Sequence, residues 1–322
     1  MHTCPPPLDA LADWLEEYPS EEGSYGHLLL EQSGEADQTL VDALRPYLES
    51  AHLDARTHFH REIGIDLHPD ADDQGAHAMY PQCLPATARR GVFGELMAGL
   101  ITEAYALIGG HSWRIPVFLF RYHADVAAYM FALARDPERV RQVFGRFGSD
   151  FIAISLDEDG AVTRVISGEA KWRRTLTPGG VNVLLKGERV RNEATGEMEH
   201  DGKGIWHQLN TDVPVPQGVR QLQRLLEEHD PDGFSAAILS MDRALTLRDP
   251  VPIPRTDLIL IVGNSPARRK PATAAIAWQE APPEYETGRD LQVVEVYLRD
   301  GEALIDALYD SLWAEEEAHA AP

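Results

Sequence analysis

The sequence predicts an α/β fold, a mixed sheet flanked by helices, and three observations carry that expectation. Apolar residues recur at helical spacing from Gly91 to Ile108, with Val92, Phe93, Leu96, Met97, Leu100 and Ile101 among them. Runs rich in β-branched and aromatic residues follow at 115–121, 150–155, 164–171, 258–262 and 291–298, each of strand length. Amphipathic helical stretches fall between and after these runs, at 216–229 and 301–316. The order helix, strand, strand, strand, helix, strand is that of helices packed on a sheet. A chain of 322 residues has ample room for such a core.

Taken in order, residues 8–18 read as a short helix, with Leu8, Leu11, Trp14, Leu15 and Tyr18 at helical spacing. A second helix is expected over 38–50. Residues 52–85, rich in His, Asp and Pro, show no clear period and read as loop with at most one strand. The reading therefore divides the chain into an acidic N-terminal helical/loop segment, 1–85, and a main domain, 86–322. In that domain Gly109-Gly110 stops the first helix, and 115–121 is a strand of the buried kind. Helices are expected at 124–134 and 137–145, split by Asp136-Pro137. Residues 177–204 are a polar excursion, and 234–245 is one more possible helix. Leu258–Val262 is a buried strand closed by Gly263-Asn264. The segment 291–298 alternates as a strand, and 301–316 closes the order as a helix.

Charge narrows the function. The 29 Lys and Arg against 52 Asp and Glu leave a net charge of −23. Proteins that grip duplex DNA by neutralising phosphates are usually basic, so unaided duplex binding is disfavoured. The distribution is uneven. Residues 86–191 hold fifteen basic and eleven acidic side chains, a net of +4, whereas 1–85 hold three and seventeen, a net of −14. Two cysteines, Cys4 and Cys83, make neither a disulfide framework nor a zinc site. The opening Met1-His2-Thr3-Cys4-Pro5-Pro6-Pro7 lacks a charged and apolar leader pattern, and no apolar run is long enough to span a bilayer. The expectation is a cytoplasmic, soluble chain with no membrane partner.

The richest chemistry lies between 148 and 171. Phe151–Ser155 and Arg164–Gly168 read as two strands joined by the acidic turn Leu156-Asp157-Glu158-Asp159-Gly160, a hairpin. Asp150 opens the first strand, and Glu169 and Lys171 lie at the end of the second. Residues i and i+2 of a strand share a face, so Glu169 and Lys171 point the same way and the turn can bring Asp150 beside them. Two carboxylates at one sheet edge suit a hard divalent cation that keeps several waters. The Ala170 carbonyl is a further oxygen ligand. Lys171 could orient or deprotonate a water, or stabilise a developing oxyanion. The alternative is a surface salt-bridge ladder.

Other features are weaker. A second acid-x-Lys match, Asp201-Gly202-Lys203, has no strand to present it. Trp172-Arg173-Arg174 could contact phosphate or stack on a base, or be an exposed edge. Gln221 is one of three glutamines on its helix, with Gln217 and Gln223. His58, His60 and His68 with Asp66 and Asp70 lack helical metal-site spacing and read as solvated. No phosphate loop of the ATPase type is present.

With these residues in place, the chain resembles the PD-(D/E)xK, restriction-endonuclease-like nuclease superfamily: Glu95 on the first core helix, Asp150 on the second strand, and Glu169-Ala170-Lys171 on the third. Within it, Arg90-Gly91-Val92-Phe93-Gly94-Glu95-Leu96, the Pro116 strand with Phe120-Arg121, Gly148-Ser149-Asp150 and Gly168-Glu169-Ala170-Lys171 resemble the HamA family. That family is the nuclease subunit of the Hachiman antiphage defence system. The likeness covers about residues 89–320 and lacks the proline that often precedes the aspartate. It implies a restriction-endonuclease-like sheet and Mg²⁺- or Mn²⁺-dependent cleavage of nucleic acid, expected to be DNA. It also implies Glu95, Asp150, Glu169 and Lys171 as the site, with Arg90, Arg173 and Arg174 against the nucleic acid. A helicase partner of the HamB type would restrain the nuclease and deliver DNA. The competing reading is an inactive scaffold of the same shape, its acidic face docking a partner or mimicking DNA.

Overall fold

The computed structural model describes residues 1–63, 79–123, 126–128, 130, 150–193, 195–211, 216–245 and 251–314. The elements along the chain begin with α1 (Leu8–Trp14), β1 (Leu15–Glu22), β2 (Tyr25–Gln32), α2 (Gln38–Ile63) and α3 (Ala86–Ala104). The hairpin β3 (Phe151–Leu156) and β4 (Val162–Arg173) is followed by α4 (Pro178–Lys186), β5 (Arg189–Arg191), β6 (Met198–His200) and α5 (Ile205–Thr211). Then come α6 (Gln217–His229), α7 (Ser235–Leu245), β7 (Arg255–Asn264), β8 (Asp290–Leu298) and α8 (Gly301–Ser311).

Six strands form one mixed sheet in the order β1-β2-β8-β7-β4-β3. The inner pairs β4–β7, β7–β8 and β8–β2 are parallel, and the outer pairs β1–β2 and β3–β4 are antiparallel. The expected α/β class with a mixed, helix-flanked sheet is therefore present. The central β7 and β8 are buried along nearly their whole length, as parallel strands covered on both faces must be. One face packs under α2, α3 and α8 through Ile101, Phe118, Ala170, Leu260 and Val296. The other is covered by α4 and α5 at one end, and by α6 and α7 over β3 and the start of β4.

Several expectations from sequence need correction. Residues 1–85 are not an appended helix and loop. They place β1 and β2 in the main sheet, β2 pairing with β8 from Tyr25↔Leu291 to Glu31↔Tyr297. Leu11, Trp14, Tyr47 and Phe59 share a core with α3 and α8. The helix expected at 38–50 continues to Ile63, despite Pro46 within it. The polar stretch 177–204 contains α4, started by Thr177 whose hydroxyl accepts the Gly180 N–H, and the small β5–β6 ribbon.

The strand expected at 115–121 does not form. One bridge, Arg114↔Ile154, joins this segment to β3. Pro116 has no N–H to extend the ladder, and Phe120–Tyr122 close into a 3₁₀ turn. The apolar run is buried all the same, which is what its composition reported. Of the helices expected at 124–134 and 137–145, residues 126–128 and 130 are helical, and the rest lie outside the described residues.

Candidate active site

Asp150 sits one residue before β3, where its N–H donates to the Gly168 carbonyl at 2.8 Å. Phe151 pairs with Gly168 as the first residue of the β3–β4 ladder. Beyond that pair, β4 continues through Glu169 and Lys171 to Arg173 with β7 on one side and β3 already ended on the other. The site occupies that step. A Cβ on Gly168 would overlap the Phe151 ring, so the close crossing of the two strands requires glycine.

At the step, Asp150 Oδ2 accepts the Ala170 N–H at 2.8 Å and the Lys171 ammonium at 2.9 Å. The same Nζ lies 3.0 Å from Glu169 Oε2. The three residues gathered from sequence thus meet around one nitrogen. Both acids are buried, whereas the Lys171 side chain keeps 31% of its exposure, so the group opens outward past the lysine. Burial alone would favour the neutral amine, but the charges of Asp150 and Glu169 outweigh it and raise the Lys171 pKa well above its ordinary value. Lys171 is therefore an ammonium at neutral pH, a cation and a donor.

In a strand the N–H and C=O of one residue point to the same side. The Ala170 N–H reaches Asp150, so its carbonyl also faces the step beside the start of β3. Among the described residues no group of three or more His, Cys, Asp or Glu side chains gathers to hold a metal. The step supplies two carboxylates and a carbonyl, a set suited to an ion that takes its remaining ligands from water.

Glu95 is buried on α3. The preceding Gly94 lies over the β4 backbone, its Cβ position 3.6 Å from the Trp172 nitrogen. Tyr80 and Tyr309, on the face of the sheet covered by α2, α3 and α8, both feel the Glu95 charge. Strand alternation sends Ala170 and Trp172 toward that face, and Glu169 and Lys171 toward the other.

The other candidates sort clearly. Trp172 is wedged between the Phe93 ring, 6.0 Å between centroids, and Gly301, so its indole is part of the packing. Arg173 and Arg174 are exposed beyond it. Arg90 pairs with Glu302 at 2.9 Å. Gln223 donates to Asp242, 2.7 Å away on α7, whereas Gln221 is half-buried on α6. Asp201 and Lys203 form a tight turn, the Lys203 N–H donating to the Asp201 carboxylate at 3.0 Å. His58 and His60 ride the last turns of α2, His60 accepting the Tyr80 N–H. Asp66, His68 and Asp70 lie outside the described residues. Cys4 and Cys83 form no disulfide, and no helix among the described residues is long and apolar enough to cross a membrane.

Comparison with protein-family models gives no match, and comparison with curated proteins gives none either. The geometry of the site therefore carries the functional argument, beside the motif resemblance described above.

Proposed function

We propose that the chain is a metal-dependent nuclease acting on DNA, and that Asp150, Glu169 and Lys171 are its catalytic group. The observation that carries this reading is the meeting of two buried carboxylates and a protonated lysine at the step where β4 outruns β3. A phosphodiester needs its charge offset in the transition state and a water made nucleophilic near neutral pH. A Mg²⁺ or Mn²⁺ ion, when bound, supplies the ionised water and part of that offset. Asp150 and Glu169 would hold the ion with the Ala170 carbonyl. Lys171, cationic and partly exposed, would orient the attacking water and donate to the pentavalent oxyanion. Glu95 approaches β4 from α3 and stands as a supporting residue in this reading.

The charge balance extends the proposal. An acidic chain whose basic side chains concentrate in one stretch is ill suited to capturing duplex alone. This supports the reading, drawn from the resemblance to the HamA family, that a helicase partner of the HamB type presents the DNA and restrains the cut in antiphage defence.

The test is a cleavage assay on linear, nicked and supercoiled DNA, and on RNA, with Mg²⁺ or EDTA, run with and without co-purified partners. Cleavage should require the metal and disappear in Glu169→Ala and Lys171→Ala proteins that retain their fold. Undiminished Mg²⁺-dependent cutting in both variants would remove this group from the chemistry. Absence of cutting under every condition would favour the non-catalytic scaffold.

A further inference from the structure

Beyond Lys171 the same strand leads to a second charged group. Arg174 follows the last residue of β4, Arg90 lies in the second turn of α3, and Glu302 lies in the first turn of α8. These three elements meet around Trp172, whose ring fills the space between Phe93 and Gly301. Glu302 divides its carboxylate between the two arginines: Oε1 is 2.9 Å from Arg90 Nη2, and Oε2 is 3.3 Å from Arg174 Nε. Two guanidiniums bracketing two oxygens on one atom is also how arginines hold the non-bridging oxygens of a phosphodiester.

The helix does not need Glu302 as its cap, because Asp300 already accepts the Ala303 N–H. An acid in the first turn gains something from the helix dipole. That gain does not explain why its two oxygens are shared between arginines of two other elements. The arrangement is also weakly held. The Arg174 side chain is 84% exposed and that of Arg90 34%, and exposed pairs contribute at most about 1 kcal/mol. Such a contact is readily exchanged.

We propose that Arg90 and Arg174 form a phosphate site of the nucleic-acid track, and that Glu302 occupies it in the free protein and is displaced when a phosphodiester arrives. This rests on the nuclease reading above and adds to it a built-in competitor. The competitor lowers affinity for stray nucleic acid until a strand is presented at high local concentration.

The experiment measures binding separately from cutting. Fluorescence anisotropy of a labelled short duplex, and of its single strand, is followed in EDTA with the full-length protein. Glu302→Gln should bind about fivefold tighter, the most that release of an exposed ion pair supplies. Asp300→Asn also removes one carboxylate and keeps a capping side chain, and it should change affinity much less. The Arg90→Ala/Arg174→Ala double variant should weaken binding, and the slope of log affinity against log salt should fall by about one, the value for one phosphate. Equal shifts in Glu302→Gln and Asp300→Asn would reduce the effect to general charge and overturn the inference. So would unchanged affinity in Glu302→Gln. If the wild type cuts DNA while Glu302→Gln binds no tighter, the inference alone fails. If the wild type neither binds nor cuts, the nuclease reading fails with it.

Discussion

The Asp150 carboxylate accepts the backbone N–H of Ala170 at 2.8 Å, just beyond the Phe151–Gly168 pair at which the β3–β4 ladder begins. One side chain therefore both ends the hairpin and seats the acid beside Glu169 and Lys171. The site depends on strand register as much as on residue identity. A slip of one residue would send Glu169 and Lys171 to the opposite face of the sheet.

That dependence makes Gly168 a sensitive position, although it carries no chemistry. Gly168→Ala drives a methyl group into the Phe151 ring where the strands cross. Overpacking of this kind costs about 1–3 kcal/mol. Urea denaturation should show a loss of that size, and cleavage should fall with it as Asp150 moves away from Lys171. Full activity at reduced stability would mean that the crossing can relax without disturbing the site.

Lys171 neutralises part of the charge that a cation would otherwise meet, so its removal should expose the metal preference of the two acids. In Lys171→Met, Asp150 and Glu169 face each other without their shared partner. The expected outcome is a lower melting temperature in EDTA and a larger rise on adding Mg²⁺ than the wild type shows. The pH dependence follows from the raised lysine pKa. The stability contributed by the ammonium is fully present below its unfolded value, about 10.5, and is lost only as pH rises through the higher folded value. The difference between wild type and Lys171→Met in EDTA should therefore stay constant from neutral pH to about 9. A wild-type advantage that grows with pH across that range would indicate an amine rather than an ammonium, because the unfolded chain would then bind a proton that the folded one refuses.

The parts of the fold legible in sequence were those whose local pattern and tertiary role agree. The hairpin was readable because β-branched strands flank a turn in which Asp157 accepts the Asp159 and Ala161 N–H groups and Gly160 takes a positive φ. Strand β7 was readable as the unbroken apolar run Leu258–Val262, and β8 as an alternating strand. Strand β1 was not, because it is an edge: Leu15-Glu16-Glu17-Tyr18-Pro19-Ser20-Glu21-Glu22 is acidic and mostly exposed, a composition that blunts an open edge. Helix α4 did carry a signal, Thr177 as N-cap followed by Pro178 at the first helical position, within a stretch whose polarity suggested loop. The Asp150–Glu169–Lys171 group could be assembled from alternation and one hairpin. The meeting of Glu302 with Arg90 and Arg174 could not, since it depends on how α8 packs after the last strand, more than a hundred residues from either arginine.

The face of the sheet under α2, α3 and α8 holds a second titratable group that bears on stability rather than on cutting. His52 is fully buried on α2, with its Nδ1 3.0 Å from the Tyr80 hydroxyl and its Nε2 3.4 Å from that of Tyr309. Burial pushes its pKa down to about 3, against about 6.5 in an unfolded chain. Between those values the unfolded state binds a proton that the folded state refuses. Stability from this residue is therefore complete above about pH 6.5 and falls by about 1.4 kcal/mol per pH unit as the pH drops toward 3. In urea titrations at several pH values, His52→Phe should be less stable near neutrality, because two buried hydroxyls lose their partner. Its stability should decline more slowly on acidification, by one proton's worth of slope. Parallel curves for the two proteins would mean that the imidazole takes up its proton inside the fold.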